Sequence, residues 1–300
     1  MKVLITGGTN GMGKGLAKIL AENDDQNHEI IILGRSEELG EATVKELEAA
    51  TRNTNISFLL CDLSKLSDVR KAIEEIQHQH AFLDGLFINA GLGYAPKRIE
   101  TQDGMDPHFQ VNYLSHFMLT LNLLDLLEKS EHGGRVVFNA TNMGDMVWDD
   151  IQLEQKWGYE KAIGQGMMAK RLFYAQLHDL YANANKNVSF FGFQISKTVW
   201  SNQINIIPLM MKTMATIMKF FGTFISIEEC GRIMVPLFTE SQAESLNKSG
   251  KLISWKKGEF FTLEEDATTF DKGKQEKLWK ISLELCNDEK TSLIADRLKN

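Results

Sequence analysis

The sequence predicts a doubly wound α/β fold, in which a parallel β-sheet lies between two layers of helices in an α/β/α arrangement. Short apolar runs alternate with longer segments whose apolar residues recur at helical spacing. The segments between them are short, which favours right-handed crossovers and a parallel sheet. A glycine-rich turn follows the first apolar run, and folds of this type bind nucleotides at such a turn.

These patterns place the strands and helices along the chain. The predicted strands cover residues 2–6, 29–33, 56–61, 85–89, 134–139, 188–194 and 248–253. The predicted helices cover residues 13–22, 36–51, 67–79, 110–128, 163–182 and 274–285. The sequence shows no repeat, low-complexity tract or linker between them. We therefore expect a single domain over residues 1–300, built on a Rossmann fold.

Composition and charge exclude several classes of protein. The chain has 300 residues, of which 43% are hydrophobic, and a net charge of −7, so we expect no nucleic-acid partner. The cysteines, Cys61, Cys230 and Cys286, and the seven histidines show no metal-ligand spacing. We expect reduced thiols, no metal and a cytoplasmic location. No apolar run approaches the roughly 20 residues of a membrane span, and the first run is too short for a signal peptide.

A phosphate-binding loop is predicted between the first strand and the first helix. Residues 6–13 read Thr-Gly-Gly-Thr-Asn-Gly-Met-Gly. Glycines let backbone N–H groups approach a pyrophosphate, and the helix N-terminus adds partial positive charge. The candidate cofactor-binding residues of this loop are Gly7, Thr9, Asn10, Gly11, Met12 and Gly13. The alternative is a glycine-rich turn without a ligand, which the strand-turn-helix context disfavours.

The residue after the second strand predicts the choice of cofactor. Folds of this type that prefer NAD place an acidic side chain there, on the ribose 2′-hydroxyl. This chain has Gly34-Arg35-Ser36, and a guanidinium suits a 2′-phosphate. We therefore expect NADP(H) rather than NAD(H). Glu37 and Glu38 could weaken this preference, and the alternative is a surface arginine without a ligand.

Two segments resemble a known family. The glycine spacing TGxxxGxG resembles that of short-chain dehydrogenase/reductases, and residues 111–117, Val-Asn-Tyr-Leu-Ser-His-Phe, resemble the retinol-dehydrogenase-like subgroup. The resemblance implies that Asp62 and Leu63 lie against adenine. It also implies that Asn89, Ala90 and Gly91 support the sheet and line the nicotinamide ribose. Both groups could instead be purely structural.

The same resemblance implies an active site for hydride transfer between a nicotinamide and a carbonyl or alcohol carbon. Asn112, Thr141 and Lys170 match the positions of the family's Asn, Ser and Lys. The family's acid/base Tyr lies four residues before this Lys, and here that position is Gly166, so the active site is degenerate. Because an acid/base group contributes roughly 10²–10⁴-fold to a rate, we expect a non-standard proton donor.

The glycine has two expected consequences. Tyr159, the nearest phenol upstream, could fold back from a loop and replace the missing Tyr. A partly buried loop aromatic is the favoured interpretation of Tyr159. Gly166 would also leave a gap beside the nicotinamide that could admit a bulkier substrate.

An apolar segment at about residues 200–226 is predicted to be a substrate lid. The loop before it, Gln194-Ile195-Ser196 and then Trp200, departs from the family pattern and alters the far wall of the cofactor pocket. The Met and Phe residues of the segment suit an adaptable apolar pocket. A core or subunit-contact helix is one alternative, and a membrane-surface contact is a less favoured one. A homo-oligomer stays open, since relatives commonly pair through the helices that carry Asn112 and Lys170.

These observations favour an NADP(H)-dependent oxidoreductase that acts on a bulky apolar carbonyl, alcohol or enone. Thr141, Lys170 or a water would then handle the proton. Two alternatives stay open. One is a nucleotide-binding pseudoenzyme or partner subunit, and the other is a non-redox catalyst of elimination or cyclisation on the same fold.

Overall fold

The computed structural model describes residues 1–22, 28–200, 212–214, 216 and 223–299, and strands make up its centre. The described strands are β1 (Lys2–Thr6), β2 (Glu29–Gly34), β3 (Ile56–Leu60), β4 (Gly85–Ile88), β5 (Arg135–Asn139), β6 (Ser189–Gln194), β7 (Thr198–Val199), β8 (Phe224–Ile225), β9 (Leu252–Lys256) and β10 (Glu259–Thr262). Eight of these form one sheet in the order β10-β9-β6-β5-β4-β1-β2-β3. Strands β7 and β8 pair separately.

The strand order has a switch point beside β1. The chain adds β2 and β3 on one side of β1, then returns to add β4, β5 and β6 on the other. These neighbours are parallel, with Ile5 opposite Ile32 on β2 and Phe87 on β4. The predicted doubly wound parallel sheet is confirmed, and of the strands that the structure describes only β10 runs antiparallel to its neighbour. Folds of this kind bind ligands at the carboxyl ends of the strands beside such a switch point.

Helices cover both faces of the sheet. The described α-helices are α1 (Gly11–Ala21), α2 (Glu37–Thr51), α3 (Leu66–Gln79), α4 (Pro107–Phe109), α5 (Ser115–Glu128), α6 (Tyr159–Asn183), α7 (Ile227–Met234), α8 (Pro236–Thr239), α9 (Gln242–Lys248), α10 (Lys272–Cys286) and α11 (Glu289–Lys299). A π-helical turn, Gln110–Leu114, joins α4 to α5. Two apolar clusters follow, one on each face of the sheet. In the larger, the Phe117 ring centroid lies 4.9 Å from that of Phe173 and 5.3 Å from that of Trp279.

Three predicted elements differ from the structure. The helix predicted at 163–182 begins four residues earlier, at Tyr159. The helix predicted at 110–128 opens with the π-helical turn. The predicted last strand, 248–253, is shifted to Leu252–Lys256, and β10 and α11 follow as elements that the sequence patterns did not predict.

Helices α10 and α11 cover the outer faces of α5 and α6. The Tyr113 hydroxyl lies 2.8 Å from the Ser282 hydroxyl of α10, and the Asn122 amide donates to Thr291 of α11 at 2.8 Å. A homo-oligomer that pairs through α5 and α6 would therefore have to displace the chain's own C-terminal helices.

The predicted lid falls largely outside the described residues, which leave out 201–211, 215 and 217–222. At its two ends, the rings of Trp200 and Phe224 meet edge to face, with centroids 5.2 Å apart. Among the described helices, none combines the length and apolar character that crossing a bilayer requires.

Candidate active site

The phosphate loop is shaped by close backbone contacts. A Cβ on Gly13 would lie 2.6 Å from the Gly7 carbonyl oxygen and 2.7 Å from the Asn89 amide nitrogen. Gly7 and Gly11 have positive φ, 67° and 55°, which favour glycine. Asn10 begins α1 without a side-chain hydrogen bond to the helix, so no side chain caps this N-terminus. Bare N–H groups at an uncapped helix start, where a side chain would not fit, suit a pyrophosphate.

Arg35 lies at the carboxyl end of β2 with its side chain exposed. Its guanidinium makes no hydrogen bond or ion pair with any residue that the structure describes. The acidic neighbours Glu37 and Glu38 are also exposed and do not pair with it. Thr9 of the phosphate loop lies alongside, its methyl carbon 3.5 Å from an ideal Cβ at Gly34. The guanidinium is thus unpaired beside the phosphate loop.

Asp62 and Leu63 form the turn after β3. The Asp62 carboxylate accepts from the Ser64 N–H at 3.0 Å and from its hydroxyl at 2.7 Å. Leu63 is buried, and its carbonyl accepts from the Ser115 hydroxyl at 2.6 Å. The turn is therefore held by its own hydrogen bonds, in agreement with the structural interpretation of these residues. Their predicted contact with adenine stays a prediction.

Asn89 connects the ends of β1 and β4. Its amide donates to the carbonyls of Thr6 at 2.9 Å and Gly7 at 3.3 Å. The Thr6 hydroxyl accepts from the N–H groups of Asn89 at 2.9 Å and Ala90 at 3.0 Å. It also lies 3.0 Å from His116 Nε2. Burial, aided by the charge of Lys170, lowers the pKa of His116 to about 3, so this ring is neutral.

Lys170 is buried behind this network. Its ammonium donates to the Asn139 carbonyl at the end of β5 at 2.9 Å, and its side chain is 1% exposed. Burial lowers the pKa of Lys170 to about 7, because the charged form loses its hydration. A further link joins β5 to β4, since the Asn139 amide lies 3.4 Å from the Asn89 side-chain oxygen. The carboxyl ends of β1, β4 and β5 therefore meet at one buried polar cluster.

Asn112 and Gly166 lie against each other. The Asn112 side-chain oxygen accepts from the Leu92 N–H at 2.7 Å, which anchors the loop after Gly91. A Cβ built on Gly166 would meet Asn112 Cβ at 3.1 Å. The Cβ side of Gly166 is therefore packed, and the gap predicted beside it is not open in that direction.

Thr141 follows β5 in a partly exposed position. The loop around it is held by the next residue, Asn142, whose N–H donates to the Gln194 side-chain oxygen at 2.6 Å. Gln194, at the end of β6, thus ties two neighbouring loops together. The departure from the family pattern at Gln194 therefore brings a contact to the loop that carries Thr141.

Tyr159 is the first residue of α6, so the prediction that it lies in a loop is wrong. Its ring packs edge to face on Tyr94 at 5.2 Å and on His108 at 6.0 Å. Burial and the neighbouring Tyr94 raise the pKa of Tyr159. Eleven helical rises of about 1.5 Å each separate its backbone from that of Lys170. The structure therefore does not bring this phenol to the position that Gly166 leaves without a side chain.

Comparison with known proteins decides the family. The sequence model of the short chain dehydrogenase family matches residues 1–152, just over half of the chain. The chain belongs to the short-chain dehydrogenase family. Retinol dehydrogenase 14 of Homo sapiens is 30% identical over 240 residues, which cover 74% of this chain and 69% of that protein. Retinol dehydrogenase 12 of Mus musculus is 32% identical over 177 residues, which cover 58% of this chain and 55% of that protein. The predicted resemblance to the retinol-dehydrogenase-like subgroup is confirmed.

A second group of similar proteins is the polyprenol dehydrogenases. Polyprenol dehydrogenase of Homo sapiens is 33% identical over 192 residues, which cover 62% of this chain and 57% of that protein. This short-chain dehydrogenase therefore spans somewhat more than half the length of that relative.

Solved structures share the fold of this short-chain dehydrogenase. A putative uncharacterized protein from Mycobacterium paratuberculosis covers 96% of the chain with a TM-score of 0.73 and 20% identity, and the match spans 94% of that protein. The Pseudomonas aeruginosa RhlG/NADP active-site complex covers 84% with a TM-score of 0.62 and 21% identity, and the match spans 93% of that chain. At these identities the likeness concerns the fold alone.

The structure brings most of the predicted residues to one edge of the sheet, and it adds three more. Thr6, His116 and Asn139 join the buried polar cluster although the sequence did not single out their side chains. Thr6 and Asn139 each end a strand, and this position in the sequence could have marked them as candidate site residues. His116 carried none, since one histidine on an apolar helix is usually part of the core. Among the described residues, no three His, Cys, Asp or Glu side chains form a group that could hold a metal.

Proposed function

We propose that the chain is an NADP(H)-dependent oxidoreductase that acts on a bulky apolar carbonyl, alcohol or enone without the family's tyrosine. The observation that carries this proposal is the buried polar cluster at the ends of β1, β4 and β5, next to an uncapped helix start. Membership of the family supports the nicotinamide cofactor. The exposed, unpaired Arg35 supports a 2′-phosphate, because a free guanidinium can donate two parallel hydrogen bonds to phosphate oxygens.

The residues present fit such a cofactor. The N–H groups at the start of α1 would hold the pyrophosphate, and Arg35 the 2′-phosphate. Lys170 would hold the nicotinamide ribose through its ammonium. When bound, the reduced cofactor supplies a hydride to carbon. In support, one structural neighbour was solved as a complex with NADP.

Proton transfer is the step for which this chain would need a group other than the family's tyrosine. When a carbonyl is reduced, the C–O π pair moves to oxygen, which must take up a proton. Lys170, with its pKa lowered to about 7, is half protonated near neutral pH, which suits a general acid. The Thr141 hydroxyl would orient the oxygen. We infer that Lys170, directly or through a water, supplies the proton, and that in alcohol oxidation the neutral amine takes it.

The apolar sequence of the segment predicted to be a lid and the names of the relatives support this substrate class. Polyprenol and retinol dehydrogenases are named for long apolar alcohols. The exposed side chains of Ile99 and Met143, 61% and 69% accessible, lie in the segments that follow β4 and β5. These apolar groups would offer contacts to a substrate of that kind at the mouth of the site.

One observation favours a second candidate function. Gly166 brings no acid/base group to this position, and a Cβ built on it would lie only 3.1 Å from Asn112 Cβ. A pseudoenzyme that binds NADP(H) without turning over substrate would keep the phosphate loop and need no such group.

Titration and turnover separate these functions. NADPH and NADH are titrated by nucleotide fluorescence, then NADPH consumption is followed with apolar ketones, quinones and enones. We expect NADPH to bind more tightly than NADH and at least one substrate to be reduced. Binding without turnover on any of them would favour the pseudoenzyme, and no binding of either nucleotide would refute the oxidoreductase.

Gly166→Tyr tests whether the phenol is all that is missing. We expect ketone reduction to rise by roughly 10²-fold or more, because an acid/base group contributes 10²–10⁴-fold. Gly166→Ala is the matched control, since it meets the same contact with Asn112 but adds no phenol. An equal rise in both variants would show that packing, rather than proton transfer, limits the wild type.

A further inference from the structure

Arg171 follows Lys170 on α6 and is almost wholly buried, at 1% exposure. Its Nη1 donates to the Asn142 side-chain oxygen at 2.6 Å, and its Nη2 to the Gly144 carbonyl at 3.3 Å. A third contact joins Nη2 to the Met168 sulfur at 3.4 Å, and Nε has no partner. Within the described ranges, no carboxylate lies in salt-bridge range of this guanidinium. It is a buried cation that neutral acceptors hold.

A buried cation held only by neutral acceptors does not by itself stabilise the fold. A buried charge loses several kcal/mol of hydration, and a well-packed apolar side chain of similar volume often stabilises a core as well or better. The charge of Arg171 lowers the pKa of the Glu265 carboxyl. Burial has a larger and opposite effect, so the pKa of Glu265 is raised overall. The charge of Arg171 also lowers the pKa of Asp266, but the direct polar contacts of Arg171 to the protein backbone and amides are its hydrogen bonds to the loop.

Asn142 receives this contact and two others. Its amide nitrogen donates to the Glu264 carbonyl, and its backbone N–H donates to Gln194. Three separate parts of the chain, α6, β6 and the segment after β10, thus hold one exposed residue directly after Thr141. Two residues further on, Gly144 has φ of 93°, and a Cβ there would lie 2.1 Å from the Gly164 carbonyl of α6.

Neighbouring residues of α6 therefore hold the loop at both ends of Thr141. Lys170 binds the Asn139 carbonyl, and Arg171 binds Asn142 and Gly144. These contacts fix the chain on both sides of Thr141 relative to the Lys170 ammonium. A reacting oxygen must meet both groups, and an error of about 1 Å in such a placement can cost about 100-fold in rate.

We propose that Arg171 is a positioning residue, which acts through Asn142 to place the Thr141 hydroxyl against Lys170. The proposal rests on the proposed function, in which Thr141 orients the substrate oxygen. Without the family's tyrosine, this oxygen has fewer partners, so the placement of the remaining hydroxyl matters more.

The test compares Arg171→Met with Arg135→Met. Arg135 is also 1% exposed and is also held by neutral carbonyls, those of His132, Gly133 and Glu240, but it lies at the opposite, amino-terminal end of β5. NADPH affinity, turnover and amide hydrogen exchange of residues 140–146 are measured for each folded variant. We expect Arg171→Met to lower kcat by about 10- to 100-fold. Exchange in the loop should rise, and the NADPH Kd should stay within about twofold. Arg135→Met should lower Tm and leave kcat and loop exchange unchanged.

Two further variants keep the proposal open to refutation if Arg171→Met does not fold. Asn142→Ser removes both amide contacts and should reproduce the loss of kcat. Arg171→Lys keeps the charge and should restore part of it. The double variant, Arg171→Met with Asn142→Ser, should have a kcat no lower than that of the more impaired single variant, because the two residues act in one chain of contacts.

If the Arg171 and Asn142 variants keep the loop exchange and the kcat of the wild type, the proposal is wrong. If the wild type turns over no substrate, the proposed function fails separately. Loop exchange in Arg171→Met against Arg135→Met then decides whether Arg171 holds the loop.

Discussion

The phosphate loop and the β5–α6 region hold their backbones in different ways. In the loop, backbone packs directly against backbone and side-chain amide, and Gly13 leaves no room for a Cβ beside Gly7 and Asn89. Between β5 and α6, two long buried basic side chains, Lys170 and Arg171, hold the chain through hydrogen bonds. The first arrangement requires the absence of side chains, and the second requires particular ones.

The difference teaches where function can change in this fold. The glycines of the phosphate loop accept almost no substitution, so nucleotide binding is kept or lost as a whole. The β5–α6 region is built from side chains that can be exchanged singly, and the sequence predicts that Gly166 is such an exchange at the position of the family's tyrosine. The reacting half of the site can therefore change while the nucleotide half stays intact.

Gly13→Ala should have the largest effect on the nucleotide half. Its Cβ would lie 2.6 Å from the Gly7 carbonyl, so the loop must open. We expect NADPH affinity to fall by about 100-fold or more, equivalent to about 3 kcal/mol, in a fluorescence titration. Gly158→Ala is the matched control, since no atom lies within 4 Å of its Cβ position. If Gly13→Ala binds NADPH as tightly as the wild type does, the phosphate loop is not the nucleotide site.

Arg35→Ala should separate the two nucleotides. Removing a charge-assisted hydrogen bond of about 1.5–3 kcal/mol should weaken NADPH by about 10- to 100-fold. NADH, which lacks the 2′-phosphate, should bind as before. Lys45→Ala removes an exposed cation from α2 and should change neither. Equal losses for both nucleotides would contradict the assignment of Arg35 to the 2′-phosphate.

Lys170→Met should change how stability depends on pH. The pKa of Lys170 is about 7 in the folded protein against 10.5 for an ordinary lysine, so the unfolded chain binds more protons between these values. The free energy of unfolding should therefore gain a positive contribution as pH rises from about 7 to about 10. We expect urea unfolding to show this rise in the wild type and a flatter curve in Lys170→Met. Parallel curves would mean that Lys170 stays charged in the folded protein.

Tyr159→Phe should have the smallest effect on the reacting half. The ring keeps its packing on Tyr94 and His108, and the hydroxyl lies far along α6 from Lys170. We expect kcat within about twofold of wild type, as for substitutions away from a site. A large fall in kcat would show that Tyr159 takes part in proton transfer after all.

Much of the fold could be predicted because its signals are local. The apolar runs of β1 and β2, KVLIT and EIIILG, are buried on both faces, as strands of a parallel sheet are. The start of α6 is harder to predict, because its N-cap residue is Gly158 and no side chain caps its first turn. The close packing of Gly164 on Gly144 also joins two segments that only the folded chain brings together.

By itself, the sequence determined the order of strands and helices and the family, and it predicts the phosphate loop and the loss of the family's tyrosine, since each depends on residues close together along the chain. The tertiary structure decided what fills the space beside Gly166, how far Tyr159 lies from Lys170, and how Arg171 and Asn142 hold the loop of Thr141. These contacts join residues from separate elements. They depend on how helices pack on the sheet, which no short stretch of sequence encodes.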